Sequence, residues 1–380
     1  MRRRATLLAT ALLMLSCGGS QPGGSQFASP SASPTSRASS SPSASPSAGP
    51  LSGVYGLVLS AGMLNLIRTD ASVAATVPVT PASAQFCSPQ HDGLVAPPPV
   101  SASNDEVYFR DGDTKIRQVV PPGSAVDVTT VPGGPNIVSF FSVSPDDQSI
   151  AVLVEDVSSG TAISERLYVE DLKGGGHHVD IYSTLTPKDK RGTTLWPMGW
   201  HAGAIVLAIF PACTFEPAGL TASEWHVASA TNATRLATIA ANNCTVSYWP
   251  SAAGVGCMNP QGVTTLYDWG GKVLSVTGPG STGSGYSSTS ISPKGNSILF
   301  ATGAGPGAPA AATGIVQLGP GPYATVPGHA ACAWIDEDHL LAPDAVIQFP
   351  AETPGNVQVT TTVMPLAASG VCAGRFPGGL

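Results

Sequence analysis

Residues 142–154 read Ser-Val-Ser-Pro-Asp-Asp-Gln-Ser-Ile-Ala-Val-Leu-Val, and residues 166–175 continue with Arg-Leu-Tyr-Val-Glu-Asp-Leu-Lys-Gly-Gly. A weaker copy stands at 290–300, Ser-Ile-Ser-Pro-Lys-Gly-Asn-Ser-Ile-Leu-Phe, followed by Gly-Ile-Val-Gln-Leu-Gly at 314–319. Each copy joins a turn signal to two apolar runs of strand length, which is typical of strands in a repeated β unit. The chain is therefore expected to repeat one small all-β unit.

These two copies resemble a known blade repeat. The pattern Ser-Pro-Asp-Gly-x-x-Ile-x-Phe followed by Leu-Tyr-x-x-Asp-Leu is similar to the repeat of TolB-like and related tryptophan-aspartate-type β-propellers. The resemblance implies that the Ser-Pro-Asp turn joins strands A and B of a blade and that the Leu-Tyr run is strand C. It further implies a ring of four-stranded blades around a central channel.

Extending this register along the chain predicts a seven-bladed β-propeller. Six or eight blades are also compatible with the sequence, because units one, five and seven are placed partly by counting. In unit four, Trp196 to Trp200 are assigned to the turn region. The units are predicted at about 54–79, 85–133, 137–184, 193–240, 243–278, 285–328 and 329–363.

Unit one supplies only three strands, at Val54 to Ser60, Met63 to Thr69 and Ala74 to Val79. The segment Gly370 to Gly378 has the form of a strand A with its turn, so we expect it to complete the first blade from the other end of the chain. Such a closure leaves no open sheet edge in the ring.

The composition agrees with an all-β chain and excludes several classes of protein. Charged residues make up 11% of the sequence, against about 25% in ordinary globular domains, which disfavours long exposed helices. The 43 Gly and 35 Pro supply many short turns without a collagen period. A formal net charge of −7 provides no basic surface for nucleic acid, so nucleic acid is not an expected partner.

The N-terminus has the features of a bacterial lipoprotein signal. Three arginines precede an apolar run, Ala5 to Leu15, that is too short to span a bilayer. The run ends in Leu-Met-Leu-Ser-Cys at 13–17, which resembles a lipobox and makes Cys17 the expected lipidated residue. The predicted domains are a signal peptide at 1–16, lipidated Cys17 with a disordered tether to residue 50, and a propeller at 51–380. The expected location is the extracytoplasmic face of a bacterial membrane, held through the lipid.

The tether prediction rests on composition. Residues 18–50 contain 12 Ser and 6 Pro, with Phe27 as the only large apolar side chain, so they cannot bury enough surface to fold.

Six further cysteines are even in number, which favours disulfides outside the cytoplasm. In the blade register, Cys213 and Cys244 lie on the same face and form the first expected pair. The second expected pair is Cys332 with Cys372, which begin neighbouring inner strands across the closure. The sequence does not place Cys87 with Cys257, and free buried thiols are the alternative for these two.

The other candidate sites are expected to have no ligand-binding role. His177 and His178, as neighbours on a strand, would point to opposite faces and could not share a metal. The Asp111 to Asp113 and Asp336 to Asp338 segments lack the spacing of a calcium loop and are expected to be solvated turns. Two Asn-x-Thr sequences, at Asn232 and Asn243, are taken as chance matches in a bacterial lipoprotein. No metal site or cofactor is predicted.

A search for catalytic motifs is negative: the chain has no Gly-x-Ser-x-Gly, no His-Glu-x-x-His and no phosphate-binding glycine motif after a strand. Blade packing is the expected role of the six tryptophans, with a carbohydrate or peptide site as the alternative; they are Trp196, Trp200, Trp225, Trp249, Trp269 and Trp334.

The leading functional hypothesis is a lipid-anchored propeller that binds a protein, peptide or glycan partner and is itself a monomer. The alternative is a propeller enzyme of the lyase, lactonase or glycosidase type, whose residues come from different blades and leave no local motif. A purely structural surface protein is the third class. A channel mouth lined by glycine, serine and aromatics would favour binding, and an acidic or histidine-rich ring would favour catalysis.

Overall fold

Seven antiparallel sheets of four strands each account for the regular structure of the described residues. The computed structural model describes residues 51–83, 99–187, 193–211, 222, 224–239, 244, 246–247, 250–259, 261, 263–277, 286–302 and 311–380. The chain separates into units 1–47 and 48–380, and all described residues belong to the second. Within these ranges there is no α-helix, and none that could cross a membrane.

Each sheet is one blade, and the blades follow one another along the chain. Blade 1 contains β1 (Tyr55–Ser60), β2 (Met63–Ile67), β3 (Val73–Pro78) and the last strand of the chain, β28 (Val371–Phe376). Blade 2 contains β4 (Val100–Ala102), β5 (Val107–Asp111), β6 (Lys115–Val120) and β7 (Ser124–Thr130). Blade 3 contains β8 (Ile137–Val143), β9 (Ser149–Asp156), β10 (Ala162–Asp171) and β11 (Val179–Pro187).

The remaining four blades have the same order of strands. Blade 4 contains β12 (Thr193–His201), β13 (Ala204–Pro211), β14 (Glu224–Ser229) and β15 (Arg235–Ile239). Blade 5 contains β16 (Val246–Ser247), β17 (Val255–Met258), β18 (Thr264–Tyr267) and β19 (Val273–Thr277). Blade 6 contains β20 (Tyr286–Ile291), β21 (Ser297–Thr302), β22 (Ala312–Gln317) and β23 (Tyr323–Pro327). Blade 7 contains β24 (Ala333–Trp334), β25 (His339–Leu341), β26 (Ala345–Gln348) and β27 (Thr362–Pro365).

The inner strand of each blade, which in blade 1 is β28, faces the centre of a ring. Strand β28 contacts β4, β4 contacts β8, β8 contacts β12, and β20 contacts β24, which in turn contacts β28. The molecule is therefore an all-β, seven-bladed β-propeller, as the register of the repeats predicted.

The C-terminal strand closes the ring, as predicted. Strand β28 pairs antiparallel with β1, with Tyr55 opposite Phe376 and Leu59 opposite Val371. The rings of Tyr55 and Phe376 pack with their centroids 5.9 Å apart. Blade 1 is thus built from both ends of the propeller sequence. The facing edges of β1 and β28 are hydrogen-bonded to each other, so neither is left open.

Tryptophans on inner strands fasten neighbouring blades. The Trp200 indole of blade 4 donates a hydrogen bond to the Ser142 carbonyl of blade 3 at 3.1 Å. The Trp334 indole of blade 7 makes the equivalent bond to the Ser290 carbonyl of blade 6 at 3.4 Å. Both serines begin the Ser-x-Ser-Pro sequence that identified the repeat, so this motif provides a main-chain acceptor for the next blade as well as a turn.

Two local predictions were wrong. Trp196 to Trp200 lie within β12 and not in a turn, because a bulge between Pro197 and Gly199 lets the strand accommodate the proline. His177 lies in a bend before β11 with φ of 48°, so His177 and His178 are not neighbours on one strand.

Candidate functional site

A cavity lined by the inner strands lies in the channel, at the end where strands A turn into strands B. We call this opening the A–B mouth. It encloses about 150 Å³ and takes its lining from the inner strands and turns of all seven blades. Its floor and walls include Ser101, Phe140, Ser142, Trp200, Ser251, Ser290, Trp334 and Gly374.

The lining of the A–B mouth is almost entirely uncharged. Proline, serine, glycine, alanine, aliphatic and aromatic residues predominate, and no described side chain of the lining carries an imidazole or a carboxyl group. Arg375 of β28 is the single charged residue of the lining. Acid–base chemistry needs groups that hold and release protons near neutral pH, and the described side chains of the lining supply none; the His201 imidazole lies beside the lining and bonds to Leu380.

Arg375 has unused hydrogen-bonding capacity. Its side chain forms no hydrogen bond or ion pair with the described residues, although the guanidinium has five N–H donors. Burial lowers its pKa, and the nearby carboxylates of Glu337 and Asp336 partly oppose that effect. The side chain remains charged, because even a lowered guanidinium pKa lies far above neutral pH.

The segment Gly378 to Leu380 crosses the A–B mouth from blade 2 to blade 4. The Gly378 amide donates to the Ser103 carbonyl of blade 2 at 2.9 Å, and the Leu380 amide donates to the Trp200 carbonyl of blade 4 at 2.9 Å. His201 Nδ1 lies 2.8 Å from the main-chain oxygen of Leu380. Three main-chain groups of this segment are therefore bound by two different blades.

Gly199 makes room for the Leu380 side chain. A Cβ atom added at Gly199 would lie 2.7 Å from Leu380 Cγ, which is closer than real side chains approach. Leu380 also packs against the large core cluster that contains Trp196 and Trp200. The mouth thus has a small apolar pocket beside its main-chain hydrogen-bonding groups.

The structure contains two disulfides among the described cysteines, and one corrects the sequence analysis. Cys332 is joined to Cys372 with Cα atoms 6.2 Å apart, which ties blade 7 to the closing strand of blade 1 as expected from the register. Cys244 is joined to Cys257, Cα to Cα 5.1 Å, so the predicted pair of Cys213 with Cys244 is wrong.

The reason for the correction is local. Cys244 precedes β16 and Cys257 lies on β17, and these two strands pair directly within blade 5. The pairing of these strands therefore brings Cys257, only 13 residues away in sequence, next to Cys244 within the same blade. Cys17, Cys87 and Cys213 lie outside the described residues.

Other residues singled out in the sequence have structural roles. His177 bonds to Asp171, and His178 lies between Glu170 and Asp180 on the surface of blade 3. No group of three or more histidine, cysteine, aspartate or glutamate side chains suited to a metal occurs in the part of the chain that the structure describes.

The two aspartate pairs accept hydrogen bonds from main-chain amides, the first pair from the segment that follows blade 1 and the second within its own turn. Asp111 and Asp113 accept hydrogen bonds from the amides of Thr80 and Ser83. Asp336 accepts the amides of Asp338 and His339. Asn232 accepts the Thr234 amide in a turn, and Asn243 lies outside the described residues.

Five of the six tryptophans are buried in blades, and Trp249 lies outside the described residues. Their packing agrees with the expected structural role.

Sequence reasoning missed Arg375, Gly199 and Leu380 as residues of the mouth. Arg375 had one detectable signal, since it is the only charged residue of the predicted closing strand.

Comparisons with known proteins identify no family. No protein-family model and no curated protein matches the chain. Among solved structures, the chain is similar to TolB from Acinetobacter baumannii, at 14% identity and a TM-score of 0.37, over 71% of this chain and 61% of TolB. It is also similar to a protein from Lactobacillus plantarum, at 11% identity and a TM-score of 0.43, over 85% and 97% of the two chains.

A third similar structure is that of oligogalacturonate lyase in complex with manganese, at 12% identity and a TM-score of 0.38, over 57% of this chain and 61% of the lyase. The chain therefore spans about three fifths of the length of the lyase and of TolB. We draw no functional conclusion from similarities of this size.

Proposed function

We propose that this chain is a binding module for an extended peptide segment of a partner protein, and that the A–B mouth is its binding site. The observation that carries the proposal is the segment Gly378 to Leu380, which the mouth holds through main-chain hydrogen bonds and an apolar pocket. A surface that binds one extended segment of its own chain has the groups needed to bind a similar segment of another.

The chemistry of the lining supports binding over catalysis. Uncharged walls of serine, glycine, proline and aromatic residues offer shape and main-chain groups, and Arg375 offers donors to a carbonyl or carboxylate of the bound segment. Within the described part of the mouth no pair of titratable groups is placed to exchange protons with a substrate. A β-propeller fold alone decides nothing about function, so the proposal rests on this site.

We further propose that Cys17 anchors the module to the outer face of a bacterial membrane. The lipobox-like sequence and the Ser- and Pro-rich segment that follows support this part of the proposal. Cys17→Ala should abolish metabolic labelling with palmitate while the propeller keeps its melting temperature. Labelling that persisted in this variant would contradict the anchor and leave the peptide site unaffected.

The peptide site can be tested with a labelled peptide of the sequence at 376–380, Phe-Pro-Gly-Gly-Leu. A variant lacking residues 378–380 has a vacated mouth and should bind this peptide, measured by fluorescence polarisation. The full chain should bind it at least about 10-fold more weakly, because its own segment competes at high effective concentration. Failure of the folded truncated variant to bind would overturn the proposal.

A matched pair of variants locates the binding. In the truncated background, Gly199→Ala should block the peptide, since its methyl group occupies the position of the Leu380 side chain. Gly314→Ala in blade 6 is the control, because its added methyl meets only the Phe300 carbonyl at 3.9 Å. Equal peptide binding by the two variants would show that the peptide binds elsewhere.

A further inference from the structure

Two glutamates are buried against each other between blades 3 and 4. Glu155 of β9 and Glu165 of β10 are directly opposite in the strand register, and each is only 1% exposed. They alternate in phase with Leu153 and Leu167, which belong to the core cluster shared with blade 4. Both carboxyl groups therefore point into the interface between the two blades.

Oxygen atoms at this position lack hydrogen-bond partners. Glu155 Oε2 and both carboxyl oxygens of Glu165 are buried and unpaired in the described structure. Thr194 Oγ1, on β12 of blade 4, is also buried and unpaired, and Thr194 is 1% exposed. The Thr194 hydroxyl lies close enough to lower the pKa of both carboxyl groups, so it faces the same point from the opposite blade.

Among the described residues, no positive side chain compensates the two carboxyl groups. The described groups that face them are all neutral: the Thr194 hydroxyl and the Trp196 indole on β12, and the Tyr182 phenol and the Thr184 hydroxyl on β11. No described lysine, arginine or histidine forms an ion pair with either glutamate. Two carboxylates cannot both be buried ionised without a counter-charge, so a proton or a cation must supply it.

A proton and a cation differ in how many of the unpaired oxygen atoms they can bind. Burial raises the pKa of Glu155 to about 7, and burial together with the Glu155 charge raises the pKa of Glu165 to about 8. One shared proton pairs a single donor with a single acceptor. A hard divalent cation binds several oxygens at once, carboxylates above all, at about 2.1–2.6 Å. It would therefore bind all four unpaired oxygens together, namely three carboxyl oxygens and the Thr194 hydroxyl.

We propose that Glu155, Glu165 and Thr194 form the protein part of a binding site for a hard divalent cation of the Ca²⁺ or Mg²⁺ type. The carboxylates come from blade 3 and the hydroxyl from blade 4, so the bound ion joins the two blades. This site lies within the ring wall and is independent of the A–B mouth and of the proposed peptide binding.

The test is the thermal stability of the full chain after treatment with EDTA and dialysis. CaCl₂ or MgCl₂ at 100 times the dissociation constant should raise Tm by about 4 °C at pH 8. The rise should be smaller at pH 6, because protons compete with the cation for the carboxylates. Glu165→Gln should abolish the rise, whereas Glu352→Gln, an exposed glutamate of blade 7, should retain it.

Several results would overturn the proposal. An undiminished Tm rise in Glu165→Gln would place the cation elsewhere. A wild-type protein with no cation-dependent rise, whose stability falls as pH rises and loses that fall in Glu165→Gln, would show a shared proton instead. If Glu165→Gln fails to fold, equilibrium dialysis of the wild-type chain with radioactive calcium and with magnesium decides, since the proposal requires at least one bound ion per chain.

Discussion

The interface that closes the ring and the interface between blades 3 and 4 are built differently. At the closure, blades 7 and 1 share an apolar cluster that includes Val58, Ile335 and Leu341, and the disulfide between Cys332 and Cys372 lies beside it. The buried charge on this side, Arg375, has the carboxylates of Asp336 and Glu337 nearby. Between blades 3 and 4, a larger apolar cluster also surrounds two buried carboxyl groups.

The difference follows from how the chain connects the blades. Blades 3 and 4 are joined by a short connection, so they stay near each other even if their interface contains groups that are costly to bury. The closure joins β28 to β1 across the whole propeller sequence, and the entropy of bringing distant segments together must be offset by the interface itself. Buried carboxyl groups without a counter-charge among the described residues are therefore tolerated at the consecutive interface, whereas the closure combines apolar packing with a covalent link.

The largest expected effect is loss of the closing strand. A variant lacking residues 370–380 loses β28, the Tyr55 contact with Phe376 and the Cys332 disulfide, and exposes the edge of β1. We expect Tm to fall by more than about 10 °C, or the cooperative transition to vanish, in differential scanning calorimetry. A variant lacking only 378–380 keeps β28 and should stay close to wild type. Equal Tm values for the wild type and the longer truncation would refute the closure.

The next effect separates the two disulfides. Cys332→Ser opens a loop of 40 residues and Cys244→Ser a loop of 13, so the chain-entropy model assigns losses of about 4 and about 3 kcal/mol. We expect the loss in Cys332→Ser to exceed the loss in Cys244→Ser by more than the chain-entropy model gives, because the Cys332 disulfide also holds β28 in place. Urea unfolding under oxidising conditions measures both. A larger loss in Cys244→Ser would contradict the special role of the closure.

The third effect belongs to the carboxyl pair and is measured in EDTA. Both glutamates have folded-state pKa values raised above the ordinary 4.5, to about 7 and about 8. Folding therefore takes up protons above about pH 4.5, and the stability that the protonated pair contributes is lost as pH rises through 7 and 8. We expect Tm to fall by several degrees between pH 5 and pH 8.5. Glu165→Gln should flatten this profile, and an unchanged slope would show that other groups cause it.

The smallest effect concerns the indole bonds that fasten blades. Trp200→Phe removes the hydrogen bond to the Ser142 carbonyl and should lower the free energy of unfolding by about 1–3 kcal/mol, because a buried acceptor loses its partner and some packing is lost. Trp334→Phe removes the longer bond to Ser290 and should cost less. Urea titrations of both variants give the order. A greater loss in Trp334→Phe would mean that packing, and not the hydrogen bond, dominates.

The sequence predicted features that recur and missed those that depend on one particular contact. The closing strand was predictable because unit one lacked a strand and Gly370 to Gly378 had the form of one. Cys332 and Cys372 could be brought together because the register places both at the start of inner strands. The Cys244 partner was missed because pairing was argued between blade faces and not between adjacent strands of blade 5.

The two candidate sites were harder to predict. Alternation along β9 and β10 puts Glu155 and Glu165 in phase with buried leucines, so their burial had a sequence signal that was not used. The path of Gly378 to Leu380 had none, since it depends on the distance between blades 2 and 4 across the closed ring. The need for glycine at position 199 becomes visible only in the structure, where the Leu380 side chain lies beside it.

The position of the closing strand also has a mechanical consequence. Residue 51 leads directly to β1, which is bonded to β28 on one side and to β2 on the other. A pull along β1 from its N-terminal end loads both hydrogen-bonded ladders in shear, so their bonds must break together and not one after another. The disulfide between Cys332 and Cys372 passes part of that load from β28 to blade 7. A force applied at residue 51 is thus resisted by two strand ladders and, through β28, by a disulfide.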